Sequence, residues 1–422
     1  MFDTSRMRNR SVIQRSWIVP IVLAGLLVVA VTCKKSSPTG ISLLSKVWVG
    51  TWSTAPQLVE PGNMPPRPGL SNNTLRQVVC VSLGGDSLRM RFSNEFGTDS
   101  VTMHTAHIAL SAGGAVIVPE TDRALTFAGD TSVTIDPGTT VTCDPFHFDI
   151  EPRARLAVTI YFGDVSDDLT GHPGSRTNSY LLEGNAIASV DFADARKTAH
   201  WYIINSIDVM ADPSAAAVVT LGNSITDGKG SGTDQQNRWP DELAIRLLMN
   251  PGTQDVAVLN MSIGGNNVLS GGLGPAAMDR FDRDVLGQTR VRWLIILEGI
   301  NDIGTSVGEA RTDSVAMDLI AAYEQMIDDA HAEGIKVYGG TILPFGDCTF
   351  YYTDYREAAR DTVNAWIRNS GRFDAVIDFD AVMRDPAEPL NLLPAADTGD
   401  HLHPNEVGHH MMGSAVDLSL FK

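Results

Sequence analysis

Between residues 47 and about 208 the apolar positions come in short runs bounded by Gly, Pro and Asp, with almost no helical spacing. Residues 75–83 form one such run, and Ser87-Leu88-Arg89-Met90-Arg91-Phe92 alternates residue by residue. Gly84-Gly85-Asp86 supplies the turn between them, so the pair predicts adjacent strands. Residues 131–135 and 155–162 continue the pattern. Many short strands with Gly/Pro/Asp turns predict an antiparallel β-sandwich, jelly-roll-like.

From Ala215 the rhythm changes. The small, β-branched run Ala216-Ala217-Val218-Val219-Thr220-Leu221 predicts a strand buried on both faces. Further strands are predicted at 255–260, 291–297, 335–343 and 373–379, with helical periodicity at 240–249, 314–332, 355–369 and 406–418. Strands alternating with helices predict a parallel sheet covered on both faces. Right-handed crossovers then gather every strand-to-helix loop at one edge of the sheet. The expected organisation is residues 1–33 as an export signal, 34–46 as a tether, 47–210 as the sandwich and 211–422 as the α/β domain.

Composition changes this picture mainly at the amino terminus. The 422 residues, 43% hydrophobic and 19% charged, are enough for two cored domains. A formal net charge of −18 with no basic stripe excludes nucleic acid as the expected partner. Arg6, Arg8, Arg10 and Arg15 precede an apolar run at residues 17–31, which is short of the roughly 20 residues a membrane span needs. A cleaved export signal fits that pattern. The run ends at Ala30-Val31-Thr32-Cys33, followed by polar Lys34-Lys35-Ser36-Ser37. This is similar to a bacterial lipoprotein cleavage box, although Thr32 stands where Gly or Ala is usual, and it implies attachment to a membrane through a lipidated Cys33. Soluble export is the alternative. Export also permits a disulfide. Cys80 and Cys143 share the first domain, and the sequence leaves their pairing open; Cys348 reads as a leftover thiol.

The chemistry is concentrated at the predicted sheet edge. Ser224 follows the first strand in Gly222-Asn223-Ser224, in a loop rich in Gly, Ser, Thr and Asp. The second strand runs into Asn260-Met261-Ser262-Ile263-Gly264-Gly265-Asn266-Asn267, and the third into Glu298-Gly299-Ile300-Asn301-Asp302. Asp400-His401-Leu402-His403-Pro404 precedes the last helix. Each block alone is an ordinary loop, cap or turn. In this order, at matching strand ends, the four resemble the SGNH, or GDSL, family of serine esterases and acylhydrolases, in its two-domain carbohydrate-esterase-like branch. The likeness spans about half the chain and implies a flavodoxin-like hydrolase domain after a β-rich one. The first block departs from the family's Gly-Asp-Ser by carrying Asn223, which keeps the nucleophile and hydrogen-bonding capacity.

The residue types suit the implied reaction. A serine hydroxyl becomes a nucleophile when a base removes its proton. Ser224 is the expected nucleophile, His403 the base, and Asp400 the group that orients the imidazole. The oxyanion formed on attack needs fixed donors, expected from the Ser224 and Gly265 backbone N–H groups and the Asn301 side-chain amide. No cofactor and no metal is expected: His401, His403, His409 and His410 lack a matching ligand set. Trp239 is expected to pack at a helix entry, with a rim contact to substrate as the alternative. The expected function is a secreted or lipid-anchored serine esterase cleaving short-chain, acetyl-type esters, on a small molecule or a polysaccharide. The alternatives are a lipid acylhydrolase and an inert carbohydrate-binding lipoprotein.

Overall fold

The computed structural model describes residues 45–422. The predicted export segment, Cys33 and most of the tether lie outside the described residues. Among the described residues no helix is long and apolar enough to cross a membrane.

The amino-terminal half is antiparallel throughout. Arg155–Phe162 pairs with Asn73–Cys80 on one side and with Val101–Gly113 on the other. In a second sheet Gly85–Ser93 lies between Ile204–Ala211 and Phe146–Ile150. The alternation in Gly85–Ser93 has its expected effect: Leu88, Met90 and Phe92 are buried, and Arg89 and Arg91 are half-buried on the other face. They share a core with Leu156, Val158 and Ile160 of the first sheet. The sequence reading passed over the 13-residue strand Val101–Gly113. Its register against the neighbouring strand slips between Met103 and Thr105, and such a bulge breaks the period of two that announces a strand.

The second half is the α/β domain. Strands β1 (Ala216–Gly222), β2 (Val256–Asn260), β3 (Val291–Leu297), β4 (Lys336–Gly340) and β5 (Ala375–Ile377) pair in parallel in the order β2-β1-β3-β4-β5. That is the flavodoxin-like order, with its switch point at β1 and β3. All seven residues of β1 are buried, as a central strand with both faces covered requires. The long helix Glu309–Ala332 buries Val315, Leu319, Ala322, Met326 and Ala330 along one side, a stripe at spacings of three and four. Trp239, which is fully buried, opens helix Trp239–Met249 and packs on Phe379 with ring centroids 5.3 Å apart.

The two halves share one continuous apolar core. Strand β2, at the edge of the parallel sheet, is covered by the antiparallel half: Val258 N donates to Ser82 Oγ at 3.0 Å. Gly50 sits so close to Leu259 that a Cβ there would stand 2.8 Å from its Cδ1. Covering the edge removes a site for unwanted strand pairing. Cys80, Cys143 and Cys348 are buried free thiols, so Cys80 and Cys143 contribute packing to the first half and no cross-link.

Candidate active site

Ser224 does not lie in an open loop, as the composition of its surroundings predicts. It is the first residue of a one-turn helix, Ser224–Asp227. Asn223 caps that turn, its Oδ1 accepting from Ile225 N at 3.1 Å, and Gly228 closes it at φ 103°. The amide of Asn223 points the other way and donates to Glu298 Oε2 at 3.0 Å. Asn223 thereby serves two strand ends at once. Glu298 is fully buried; burial pushes its carboxyl up to about 8, against the lowering effect of the Arg280 charge. Arg280 has its nearer carboxylate in Asp284, at 3.0 Å. Asp302 already raises Glu298 through its charge, and a neutral side chain at position 223 keeps a further carboxylate away.

The hydroxyl of Ser224 stands 2.8 Å from His403 Nε2. On the opposite side of the ring, Nδ1 stands 2.7 Å from Asp400 Oδ2. An ionised carboxylate only accepts, so Nδ1 carries the hydrogen and Nε2 is left to accept from Ser224. Asp400 Oδ1 also accepts the backbone N–H groups of Leu402 and His403, at 3.0 and 2.9 Å. Burial raises the Asp400 carboxyl, but the hydrogen bonds from His403 and the two N–H groups prevail and hold it at about 2. His403 is lowered from its ordinary value by burial, which outweighs the opposing pull of Asp400. The imidazole is consequently a free base at neutral pH, the form that can take a proton from Ser224.

The expected oxyanion donors face the same place. Gly265 has φ 73°, a conformation that favours glycine; a Cβ there would meet Leu273 at 3.0 Å. Asn301 lies in helix Ile300–Thr305, not in a loop. Its Nδ2 gives one hydrogen to Asn266 O at 2.7 Å, leaving the other free to turn toward a ligand. Its Oδ1 accepts from the Tyr351 hydroxyl at 2.7 Å, which fixes which end of the amide presents its N–H groups. Asn266 is fully buried and ties its loop down, donating to Leu273 O and Pro275 O and accepting from Arg280. Asp302 accepts from Val268 N and Leu269 N, joining the loops after β2 and β3.

The four histidines near the carboxyl terminus have separate fates. His403 joins Ser224. His401 is half-exposed and paired with Asp397 at 2.9 Å. His409 is fully buried: Nδ1 accepts from Trp239 N at 3.3 Å, and Nε2 donates to Lys229 O at 3.1 Å. Burial lowers His409 to about 4, so it is a neutral packing residue. His410 pairs with Glu242 at the surface.

Ser224, Gly265, Asn301 and His403 open onto a cavity of about 390 Å³. Its opposite wall comes from the antiparallel half and includes Glu60, Arg176 and His200. Sequence reasoning assigned none of these to the site, and it also missed Tyr351 and Glu298. Beneath the cavity, His172 from the first half reaches Asp227 Oδ1 at 2.8 Å and donates through Nδ1 to Ala55 O at 2.9 Å. The turn that carries Ser224 is thus fastened to the strand half.

Residues 220–411 match the family described as GDSL-like lipase/acylhydrolase. No curated protein matches the chain. Among solved structures, a GDSL-like lipase from Bacteroides thetaiotaomicron is 20% identical, over 47% of this chain and 84% of its own, with a TM-score of 0.34. Axe2, an acetylxylan esterase from Geobacillus stearothermophilus, is 18% identical over 47% of this chain and 91% of its own, with a TM-score of 0.36. By its match to that family, the chain carries a GDSL-like lipase/acylhydrolase domain over residues 220–411 and is a hydrolytic, ester-cleaving enzyme.

Proposed function

We propose that the protein is an exported serine esterase that removes short acyl groups, acetyl above all, from a carbohydrate or similarly polar alcohol. The observation that carries this reading is the unbroken chain Ser224 Oγ, His403 Nε2, His403 Nδ1, Asp400 Oδ2, with contacts of 2.8 and 2.7 Å. In the proposed reaction Ser224 Oγ attacks the ester carbonyl while its proton passes to His403 Nε2. The Ser224 and Gly265 N–H groups and the Asn301 amide hold the oxyanion. Collapse breaks the bond to the alcohol, which leaves with the proton from His403. Water, deprotonated by the same imidazole, then releases the acid and restores Ser224. Asp400 stays ionised throughout and stabilises the imidazolium.

The character of the cavity supports a short acyl group and a polar alcohol. The apolar groups on its wall are Pro173, Leu273, Leu402 and the Tyr351 ring, interrupted by Gln57, Glu60, Asn63, Arg176 and Lys229. A long acyl chain needs a continuous apolar lining to bury its methylenes, each worth about 0.8 kcal/mol. The Glu60 carboxylate is held by Gln57 Nε2 at 2.6 Å and Asn63 Nδ2 at 2.9 Å, an arrangement suited to accepting hydrogen bonds from hydroxyl groups.

Export, with anchorage through a lipidated Cys33, belongs to the same reading and rests on the amino-terminal sequence; Cys33→Ala should release the full-length protein from the membrane fraction. The enzymatic reading is tested with the purified protein and 4-nitrophenyl acetate. Ser224→Ala should lose on the order of a thousandfold or more in rate, and a fluorophosphonate should label Ser224 alone. Undiminished turnover in Ser224→Ala would overturn the assignment.

A further inference from the structure

Resting on the proposed esterase reading, we infer that Arg176, from the antiparallel half, and Lys229 form an anion subsite that selects esters whose alcohol portion carries a carboxylate or other oxyacid group. The first half of the chain would then do more than cover a sheet edge: it would choose the substrate.

The placement of Arg176 is the first reason. It lines the cavity with Ser224 and His403 and adopts φ 50°, a left-handed backbone that L side chains other than Asn and Asp seldom take. The segment around it is pinned to the hydrolase half on both sides. Arg238 Nη2 donates to Ser175 O at 2.6 Å, Asp234 N to Arg176 O at 2.9 Å, and Gln236 Nε2 to Thr177 Oγ1 at 2.8 Å. Residues held in sparsely populated backbone conformations by surrounding contacts are concentrated at ligand sites.

The second reason is that the guanidinium is under-used. Its Nε is buried with no hydrogen-bond partner, and the only carboxylate within 4 Å among the described residues, Asp227, stands 3.8 Å from Nη2. His172 holds only Asp227 Oδ1, at 2.8 Å; the Oδ2 that faces Arg176 is buried without a hydrogen bond, yet at 3.8 Å it leaves the guanidinium N–H groups unbonded to it. Arg176 keeps 28% of its side chain exposed, so its planar fork is open to a carboxylate or phosphate arriving from the cavity. Lys229, also on the cavity wall, is exposed and forms no ion pair among the described residues. Glu60 and Asp227 are the carboxylates lining the cavity; both oxygens of Glu60 accept hydrogen bonds from Gln57 and Asn63, and Asp227 Oδ1 is bonded to His172.

The third reason fixes which part of the substrate is read. Lys229 N donates to Ser224 O at 2.8 Å, and Lys229 O accepts from His409 Nε2 at 3.1 Å. The next residue, Gly230, lies against the Pro404 carbonyl, and Arg176 faces Asp227 at the end of the turn that carries Ser224, so both cations stand on the His403 side of the site. His403 is the group that hands a proton to the departing alcohol. A charge held there sits on the alcohol portion, as in an acetylated acidic sugar.

The test compares three acetate esters: 4-acetoxybenzoate, its neutral analogue 4-acetoxybenzamide, and 4-acetoxyphenyl phosphate. Wild-type kcat/KM for 4-acetoxybenzoate should exceed that for the benzamide by about tenfold, through KM and less at high salt. Arg176→Gln should bring that ratio close to one, and Lys229→Gln should lower it in part. A phosphate ester preferred to both others also supports the subsite and identifies phosphate as its source. A wild-type ratio of one or below for both anionic esters, or a ratio unchanged in Arg176→Gln, overturns the inference. Should Arg176→Gln fail to fold, competition in the wild type decides. There 4-hydroxybenzoate should inhibit 4-nitrophenyl acetate cleavage more strongly than 4-hydroxybenzamide, and equal inhibition rejects the subsite. Failure to cleave even the neutral ester with dependence on Ser224 would instead defeat the esterase reading itself.

Discussion

The Tyr351 hydroxyl donates to Asn301 Oδ1 at 2.7 Å across 50 residues of sequence, and together with the Asn266 carbonyl this contact aims the Asn301 amide. With Oδ1 occupied and one Nδ2 hydrogen given to Asn266 O, the remaining N–H is the part of Asn301 left to meet an oxyanion. Asn301→Ala should lower kcat by roughly a hundredfold to a thousandfold, the usual cost of losing one oxyanion donor. Tyr351→Phe keeps the ring and removes only the aim, so a loss of about threefold to tenfold in kcat with KM little changed is expected. Steady-state kinetics on 4-nitrophenyl acetate would read both. An unaltered rate in Asn301→Ala would return that residue to a loop-tying role.

The acid limb of activity should report His403. Burial lowers its proton affinity below the ordinary histidine range, so the free-base form persists to lower pH than an exposed imidazole allows. The acid midpoint of kcat/KM in the free enzyme is therefore expected below pH 6.5. A midpoint above that value would mean that Asp400 dominates over burial. His403→Ala should nearly abolish turnover, and His401→Ala, which disturbs only a half-exposed pair with Asp397, should be mild. Equal, large losses at both would point to a different base.

Asn223→Asp would restore the commoner Gly-Asp-Ser block at the cost of a further carboxylate beside Glu298, which Asp302 already raises. In the folded wild type Glu298 holds its proton to about 8, above the ordinary unfolded value. The folded state thus binds more protons between those limits, and its stability falls as pH rises through that window. A carboxylate at 223 should steepen the fall: the variant's Tm deficit should be small near pH 5 and grow toward pH 9. Adding Glu298→Gln should abolish the growth. A deficit independent of pH would show that the loss is only that of the Asn223 amide.

Acyl length separates the carbohydrate-esterase reading from a lipid one. Rates on acetyl, butyryl, octanoyl and palmitoyl nitrophenyl esters should fall along the series, and acetate should be released from acetylated xylan. Rates rising toward octanoyl, with no acetate released from the polysaccharide, would favour a lipid substrate.

Much of this protein was legible before any coordinates. The run at 216–221 is a central strand because small, β-branched residues without polar interruption suit a position buried on both faces. The predicted helices at 240–249 and 355–369 are observed at Trp239–Met249 and Asp354–Asn369, since their apolar spacing and entry residues are local signals. Ser224, Gly265, Asn301, Asp400 and His403 are expected together because their four blocks, in this order, resemble the SGNH family, and parallel topology brings those strand ends to one edge. Short-range chemistry also misled. The polar composition after Gly222 and after Glu298 reads as loop, yet Asn223 and Gly299 start helices there.

Only the tertiary structure decided what faces the catalytic edge. Arg176 and Glu60 lie in a half of the chain whose strands carry no periodic sign of a binding site, and they come to line the cavity of Ser224 through the docking of one half on the other. His172 finds Asp227 across 55 residues, and Tyr351 finds Asn301 across 50. Glu298 reads as an ordinary carboxylate until burial at the end of β3 raises it to about 8. Sequence determines what a residue can do and, through periodicity, which element carries it. Burial and partnership between distant segments depend on how elements pack, and no local pattern encodes that.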